Sequence, residues 1–158
     1  MSLDPDAFRA ALGRFATGVT VVTATDAEGH HHGMTVSAFA SVSLDPPLVA
    51  ICIEHGASMH DLLTSTSHFA VNVLSSAQEP IARRFAETGA QRFAGIGYHV
   101  GERGVPLIDD VLAWIECDRV ALHPGGDHTL IIGETQIATV RDARPLLYYR
   151  GGFAQLER

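Results

Sequence analysis

The alternation of apolar and polar positions predicts that the chain opens with a helix. Asp4 stands where a helix cap belongs, and Pro5 takes the first helical position. Phe8, Leu12 and Phe15 follow at intervals of four and three residues, which places them on one face. We therefore expect a short amphipathic helix at the amino end.

A β-hairpin is predicted next. Val and Thr dominate residues 17–25, and Asp-Ala-Glu-Gly at 26–29 supplies a turn. The return strand over 33–41 alternates between two faces, one apolar and the other rich in hydroxyls. The two sets are Met34, Val36, Ala38 and Ala40 against Thr35, Ser37, Phe39 and Ser41.

The rest of the chain is predicted to be mainly strands with short helices inserted between them. Residues 48–53 form an apolar run that predicts a strand buried on both faces. Ser75 and Gln78 have the spacing of a capping box. The further elements predicted are helices over 58–65 and 76–87, strands over 68–74, 112–122, 128–140 and 146–149, and a loop through Gly104. This order indicates a mainly β fold with inserted helices, an antiparallel barrel that is closed or nearly closed.

Composition narrows the class of protein. A chain of 158 residues that is 46% apolar and 18% charged fits one packed domain over residues 1–158. Its 11 basic residues are all Arg, and 18 acidic residues bring the net charge to −7. This balance argues against nucleic acid or an anionic membrane surface as a partner.

The two cysteines and the amino end indicate an intracellular protein. Cys52 and Cys117 lie far apart in apolar runs, which favours reduced, buried thiols over a disulfide framework. The acidic amino end precedes no long apolar stretch, so we expect no signal peptide. The run over 48–53 is too short to span a bilayer. We expect a soluble protein of the cytoplasm.

Several common catalytic designs find no support in the sequence. Gly95, Gly97 and Gly101 neither follow a clear strand nor open a helix, which argues against a dinucleotide-binding loop. A chain without Lys cannot form a phosphate-binding loop of the Gly-Lys-Ser/Thr kind, and no Gly-x-Ser-x-Gly motif is present. His30-His31-His32 follows the hairpin turn, but neighbours on a strand face opposite ways. A solvated turn is the favoured interpretation, and we expect no metal.

Three features are candidates for binding chemistry, each with a simpler alternative. The hydroxyl-bearing strand over 33–41 suits a flat heteroaromatic ligand bound by main-chain groups, although it could be a solvated strand face. Ser58 stands at a predicted helix start, where amides suit a phosphate or the serine is a plain cap. His128 follows the Gly125-Gly126 turn and could aim into a pocket or be an exposed strand start.

Taken in order, five segments resemble the flavin reductase family of the FMN-binding split-barrel group, the reductase components of two-component flavin-dependent monooxygenases. The resemblance covers nearly the whole chain. The segments are residues 8–23, 33–49, 69–74, 126–128 and 145–151.

This resemblance implies an FMN-binding split β-barrel that forms a homodimer with the flavin near the subunit interface. It implies that FMN, or FAD, meets largely main-chain groups of the strand at 34–38. The residues it assigns to the cofactor are Met34, Thr35, Val36, Ser37, Ala38, Ile51, Cys52, Ile53, Ser58 for the phosphate, Arg83, Phe85 and Tyr149. His128 matches the histidine on the nicotinamide side of the site.

The implied reaction is hydride transfer from NADH or NADPH to the flavin, followed by transfer of the reduced flavin to a partner monooxygenase. Such chemistry needs two flat rings held in contact and no nucleophile, so His128 is assigned positioning and electrostatics. Ala57, Met59 and His60 surround Ser58, where relatives are expected to carry a threonine or a cation. Two alternatives are a tight flavoprotein oxidoreductase that acts on another acceptor and a non-enzymatic flavin-binding dimer.

Overall fold

The structure is a computed structural model that describes residues 2–89 and 92–157. Three α-helices and one 3-10 turn interrupt the strands: α1 Pro5–Leu12, α2 His60–Ser65, the turn Ser76–Gln78 and α3 Glu79–Ala86. The strands are β1 Thr17–Gly18, β2 Thr20–Thr25, β3 His31–Val36, β4 Phe39–Ser43, β5 Leu48–Glu54, β6 His68–Val73, β7 Tyr98–Val100, β8 Pro106–Ile108, β9 Ala113–Gly125, β10 His128–Val140, β11 Leu146–Tyr149 and β12 Gly152–Gln155.

Seven strands form one antiparallel sheet in the order β3-β2-β6-β9-β10-β5-β4. The two edge strands, β3 and β4, are consecutive in the chain and are joined by Ser37 and Ala38 alone. So short a connection spans about 10 Å at most, so the two edges must lie side by side. The sheet therefore curls into a barrel with a split between its edges, and the predicted antiparallel β fold with inserted helices is confirmed.

The prediction of one continuous strand over 33–41 is wrong. Val36 ends a strand paired with β2, opposite Thr20, whereas Phe39 begins a strand paired with β5, opposite Ile51. The Phe39 N–H donates to the Ser37 carbonyl at 2.9 Å, so the chain turns tightly between the two strands. The two halves of the predicted strand thus lie on opposite sides of the split.

The barrel interior is apolar and comes mainly from alternate residues of the central strands. Val49, Ile51 and Ile53 are buried, whereas Ala50 and Cys52 between them are half-buried on the outer face. The expectation that this strand is buried on both faces is therefore wrong for the single chain. The interior continues across the sheet with Val22, Leu63, Phe69, Val71, Cys117 and Ile131.

A second apolar cluster lies between the barrel and the helix that follows β6. The predicted capping box is present: the Ser75 N–H donates to Gln78 Oε1 at 3.0 Å. It caps the 3-10 turn, and α3 begins only at Glu79, so the predicted helix over 76–87 is two elements. Phe85 of α3 is buried in this cluster together with Leu146 of β11. That strand also joins a small sheet in the order β1-β11-β12.

The shorter elements depart further from expectation. Helix α2 begins at His60 rather than at 58, with Met59 in the capping position and no side-chain cap bond. Strands β7, β8 and β12 were not predicted, because three or four residues carry too little alternation to be recognised. The remaining predicted strands are present within a few residues of their expected ends.

Helix α1 has the predicted cap, but it ends at Leu12, so of the predicted face only Phe8 and Leu12 lie on the helix. The Asp6 N–H donates to Asp4 Oδ1, and Pro5 opens the helix. Yet Phe8, Leu12 and Phe15 are 54%, 55% and 75% exposed, so the apolar face is not covered by this chain. Within the described residues, no helix has the length and apolar character needed to cross a bilayer.

Candidate flavin site at the barrel split

One cavity of about 550 Å³ lies beside the split and is here called the Thr35 cavity. It brings together three residues that the sequence singled out, Thr35, Ser37 and Arg83. Tyr148 of β11 and Phe153 of β12 form the facing wall, and Ala86, Glu87 and Gly151 complete the lining. Strand β3, helix α3 and the small sheet thus meet at one site.

Main-chain donors are exposed where the two strand edges meet. The Thr35 hydroxyl donates to the Ala82 carbonyl at 2.7 Å, and the Thr20 hydroxyl donates to the Val36 carbonyl at 2.6 Å. The N–H groups of Ser37 and Ala38 have no hydrogen-bond partner among residues 2–89 and 92–157. Free N–H groups of this kind can bind the carbonyl and ring-nitrogen acceptors of a flat heteroaromatic ligand.

Arg83 places a cation at the rim of the Thr35 cavity. Its Nε donates to Glu79 Oε2 at 3.2 Å, one helical turn earlier. Its guanidinium carbon lies 5.0 Å from the centre of the Phe153 ring, in cation–π range. Tyr148 contacts the same ring edge-on, with 5.6 Å between ring centres. The cation is therefore oriented by an acid and an aromatic ring while it stays open to an anionic group.

A second cavity, of about 870 Å³, lies toward the other end of β3 and is here called the Arg92 cavity. Ser58, Arg92, Phe93 and Tyr98 are among its lining residues, together with His30, His31, His32 and Gly33 of the hairpin. Arg92 Nη1 donates to the Gly33 carbonyl at 2.8 Å, and Nη2 lies 3.5 Å from Ser58 Oγ.

Arg92 is a residue that the sequence analysis missed. Its loop position carries no periodicity, and its contact with Ser58 joins residues 34 positions apart. Ser58 itself lies two residues before α2 and does not cap it, so the predicted role of helix amides beside Ser58 is not supported.

Four of the residues assigned to the flavin are buried instead in the core. Ile51 and Ile53 face the barrel interior with no exposed surface, and Val36 and Phe85 are almost as fully buried. Their side chains cannot touch a ligand in this arrangement, because the sheet or α3 covers them. These four side chains lie in the core beneath the site. In the segment 51–53, Cys52 is the side chain that is partly accessible.

The other residues of the predicted site are distributed around the split. Met34 is half-buried against the barrel core, and Ala38 is exposed, its carbonyl accepting from the Cys52 N–H at 3.0 Å. Tyr149 is exposed but does not line the Thr35 cavity; Tyr148 does. The assignment of Tyr149 to the flavin stays a prediction, whereas Tyr148, on the same face of β11 as buried Leu146, is the tyrosine that lines the cavity.

His128 lies outside both cavities, at the tip of the β9–β10 hairpin. His128 pairs with Glu54 of β5, and the Ala38 carbonyl at the split accepts from the Cys52 N–H, two residues earlier on β5. Two strand spacings across the sheet and two residues along it therefore put roughly 12 Å between His128 and Ala38. Its Nδ1 lies 2.7 Å from Asp127 Oδ1, which lowers the pKa of that carboxyl. The side chain is 40% exposed, so the ring is oriented by Asp127 and accessible from outside.

The two cysteines are free, as predicted. Cys117 is buried between β6 and β10, and burial raises the pKa of its thiol to about 12. It is therefore a neutral core residue at ordinary pH and takes no part in the site.

Comparisons with known proteins agree on one family. Residues 12–157 match the flavin reductase like domain. FMN reductase (NADH) SmoA of Agrobacterium fabrum is 47% identical over 151 residues, 96% of this chain and 86% of that protein. HsaB of Mycobacterium tuberculosis, named as the reductase subunit of a flavin-dependent monooxygenase, is 37% identical over 98% of this chain and 84% of its own.

A solved structure matches over almost the full length. It is the NADH:FAD oxidoreductase of Streptomyces globisporus C-1027 in complex with NAD and FAD fragments. It superposes with a TM-score of 0.92 and is 42% identical, covering 99% of this chain and 96% of that one.

Proposed function

This chain belongs to the flavin reductase-like family, and we propose that it is an NADH-dependent flavin reductase that takes FMN or FAD as its acceptor. Two relatives with NADH and a flavin in their names, 47% and 42% identical, support the donor and the acceptor. The observation that carries the proposal is the Thr35 cavity, where Ser37 with its free main-chain N–H, an aromatic wall and a cation meet at the split.

The residues at the split fit an isoalloxazine ring. The N–H groups of Ser37 and Ala38 would donate to acceptors on the edge of the ring, as the sequence predicted for main-chain binding. Tyr148 would pack against its face, and Arg83 would favour the negative charge that reduction places on the ring. Thr35 and Cys52 would support the ring from the strands on either side, and Met34 and Val36 would contribute only their main chain. When bound, the flavin accepts a hydride from the C4 carbon of NADH at its N5 atom.

Ser58 and Arg92 are proposed to bind the flavin phosphate. A guanidinium forms strong, charge-assisted hydrogen bonds with phosphate oxygens, and Ser58 lies next to it. The chain as a whole is acidic, so the phosphate must be held by local cations. Arg92 thus takes the place of the cation that was expected beside Ser58.

His128 is proposed to position the nicotinamide. Its accessible ring, oriented by Asp127, would contact the carboxamide edge of NADH in a role of positioning and electrostatics. His128→Ala should raise the KM for NADH several-fold while the flavin dissociation constant stays within about twofold. His123→Ala, an exposed histidine on the same hairpin, is the matched control. Equal loss of NADH use and flavin binding in His128→Ala would contradict the assignment.

We propose that residues 1–158 form a single domain that assembles as a homodimer in the cytoplasm. The exposed Phe8 and Leu12 of α1, with Phe15 just after it, supply an apolar face for a second copy. NADH and two free cysteines fit a reducing compartment. HsaB supports a flavin-dependent monooxygenase component as the recipient of reduced flavin. Sedimentation equilibrium tests the dimer, and Phe15→Glu should shift it toward the monomer.

Steady-state NADH oxidation with and without added flavin separates the proposed function from its alternatives. A flavin reductase oxidises NADH continuously, with a rate that saturates in added FMN or FAD. A tight flavoprotein oxidoreductase instead reduces its bound flavin once and does not turn over on added flavin. A non-enzymatic flavin-binding dimer binds flavin and oxidises no NADH. Either of the last two results would overturn the proposal.

A further inference from the structure

Four metal-ligating side chains lie at the turn between β2 and β3, and none of them is assigned to the flavin. The ligand atoms of Asp26, Glu28 and His30 all lie within 4.8 Å of one another. His30 Nδ1 is 3.5 Å from Asp26 Oδ2 and 3.6 Å from Glu28 Oε2. His32 Nε2 lies 2.9 Å from the same Asp26 oxygen. We propose that these four residues form a site for a divalent transition-metal ion such as Zn²⁺.

The strand geometry selects two of the three consecutive histidines. Successive side chains on a strand face opposite ways, so His30 and His32 lie on the side of Asp26 while His31 lies on the other. His31 Nδ1 contacts the Thr25 hydroxyl at 2.9 Å, and its ring packs edge-on against Tyr98. Three consecutive histidines therefore cannot share one ion, but His30 and His32 can share one with the two carboxylates of the turn.

The Asp26 carboxylate is held in place before any ion arrives. Its Oδ1 accepts from the main-chain N–H groups of Glu28 and His30, each at 2.9 Å. The turn is closed by the Asp26 N–H, which donates to the His30 carbonyl at 2.9 Å. This leaves Oδ2 directed toward the two imidazoles. A ligand that other hydrogen bonds fix in this way loses little freedom when it binds a metal.

Three separations between donor atoms, those from Asp26 to each imidazole and from Glu28 to His30, match those around a tetrahedral ion. Zinc binds imidazole nitrogen and carboxylate oxygen at about 2.0–2.2 Å, which puts neighbouring ligand atoms roughly 3.4 Å apart. The separations of 2.9–3.6 Å found here bracket that value. Two imidazoles favour Zn²⁺ and related transition ions, because Ca²⁺ and Mg²⁺ prefer sites made of oxygen alone.

The proposed ion would lie at the wall of the Arg92 cavity, which His30 and His32 also line. It would cross-link the two strands of the hairpin at the turn. This site does not depend on the proposed flavin chemistry, so metal binding and flavin reduction can succeed or fail separately.

Titration of the metal-free protein with Zn²⁺ alone, in competition with a coloured chelator, tests the site. We expect one ion per chain for the wild type, and no binding of Ca²⁺ under the same conditions. His30→Ala, His32→Ala and Asp26→Asn should each weaken binding about tenfold or more. Asparagine keeps the Oδ1 acceptor of the turn, so the hairpin should stay folded, and circular dichroism checks this.

His31→Ala is the decisive control, because His31 belongs to the same histidine run but faces away from the site. Its Zn²⁺ affinity should stay within about twofold of the wild type. Equal weakening by His31→Ala and His30→Ala would show adventitious binding to an exposed histidine run and would overturn the proposal. Binding of Co²⁺ should also give the intense visible bands of a four-coordinate ion, and a weak six-coordinate spectrum would contradict the geometry.

Discussion

Replacing Gly33 by alanine would place a methyl group where Phe85 leaves no room. A Cβ atom at position 33 would lie 2.7 Å from Phe85 Cε1, 2.9 Å from Cδ1 and 3.4 Å from Val21 Cγ1. Phe85 is buried, so its ring cannot swing into solvent to relieve the contact. The substitution must therefore move α3 away from β3 or force the ring out of its preferred rotamer.

The size of the effect follows from these contacts. Overpacking of a core by one methyl group typically costs about 1–3 kcal/mol. Replacing glycine in a strand returns roughly 0.5–1 kcal/mol, because alanine loses less backbone entropy on folding. We expect a net loss of about 1–2 kcal/mol in the free energy of unfolding. Displacement of α3 also moves the Ala82 carbonyl and Arg83, so flavin binding should weaken with stability.

Urea unfolding and flavin fluorescence titration together measure the two consequences. Gly18→Ala is the matched control, since a Cβ atom there meets no other atom within 4 Å. Phe85→Leu in the Gly33→Ala background should restore part of the loss, making the double variant more stable than the sum of the single effects predicts. Equal stability and flavin affinity of Gly33→Ala and Gly18→Ala would show that Phe85 does leave room for a methyl group at position 33.

Two further variants and two treatments test other parts of the structure. Asn72 is buried and makes three hydrogen bonds within the core, so Asn72→Leu should lower the free energy of unfolding in urea by about 3 kcal/mol or more. Burial raises the pKa of Cys117 to about 12, so iodoacetamide at neutral pH should label Cys52 and spare Cys117 until urea is added. The same shift means that Cys117 contributes stability below pH 9, which is lost as pH rises from 9 toward 12, and urea unfolding across that range measures the loss. Thr35→Val removes the hydroxyl bond to Ala82 and should cost about 1 kcal/mol in urea unfolding, with weaker flavin binding in the fluorescence titration.

Local sequence signals located most of the regular elements. The Asp4 cap, the hairpin turn at 26–29 and the Ser75–Gln78 capping box each rest on contacts between near neighbours, and all three are present. The long strands β9 and β10 carry enough alternation to be recognised within a few residues of their ends. Such features are visible in sequence because short-range hydrogen bonds and side-chain periodicity determine them.

The split itself could not be read from alternation. Residues 34–41 alternate without a glycine or proline to mark a break, yet Ser37 and Ala38 carry the chain from one edge of the sheet to the other. The position of the break is determined by which strands the two halves pair with, β2 for one half and β5 for the other, and both partners are distant in sequence. The resemblance assigned Ile51 and Ile53 to the flavin, and the inward orientation of their side chains became visible only in the folded barrel.

The candidate site likewise contains residues that could be named from the sequence and residues that only distant contacts bring to it. Thr35, Ser37 and Arg83 were named from the sequence, and the fold brings them to one cavity. Arg92 was missed because its contact with Ser58 crosses 34 residues of chain. Tyr148, which lines the same cavity, was not named from the sequence, since the face of a short strand depends on what packs against it.

Anaerobic reduction of free flavin in excess over protein shows whether this chain reduces flavin as a substrate over many turnovers. The protein is mixed with NADH and a large excess of FMN, and separately of FAD, and bleaching of the flavin absorbance is followed to completion. We predict that many flavin molecules are reduced per chain, one for each NADH consumed, and that the reduced flavin passes through a membrane that retains the protein. Reduction that stops at one flavin per chain, or no reduction with either flavin, would contradict the account.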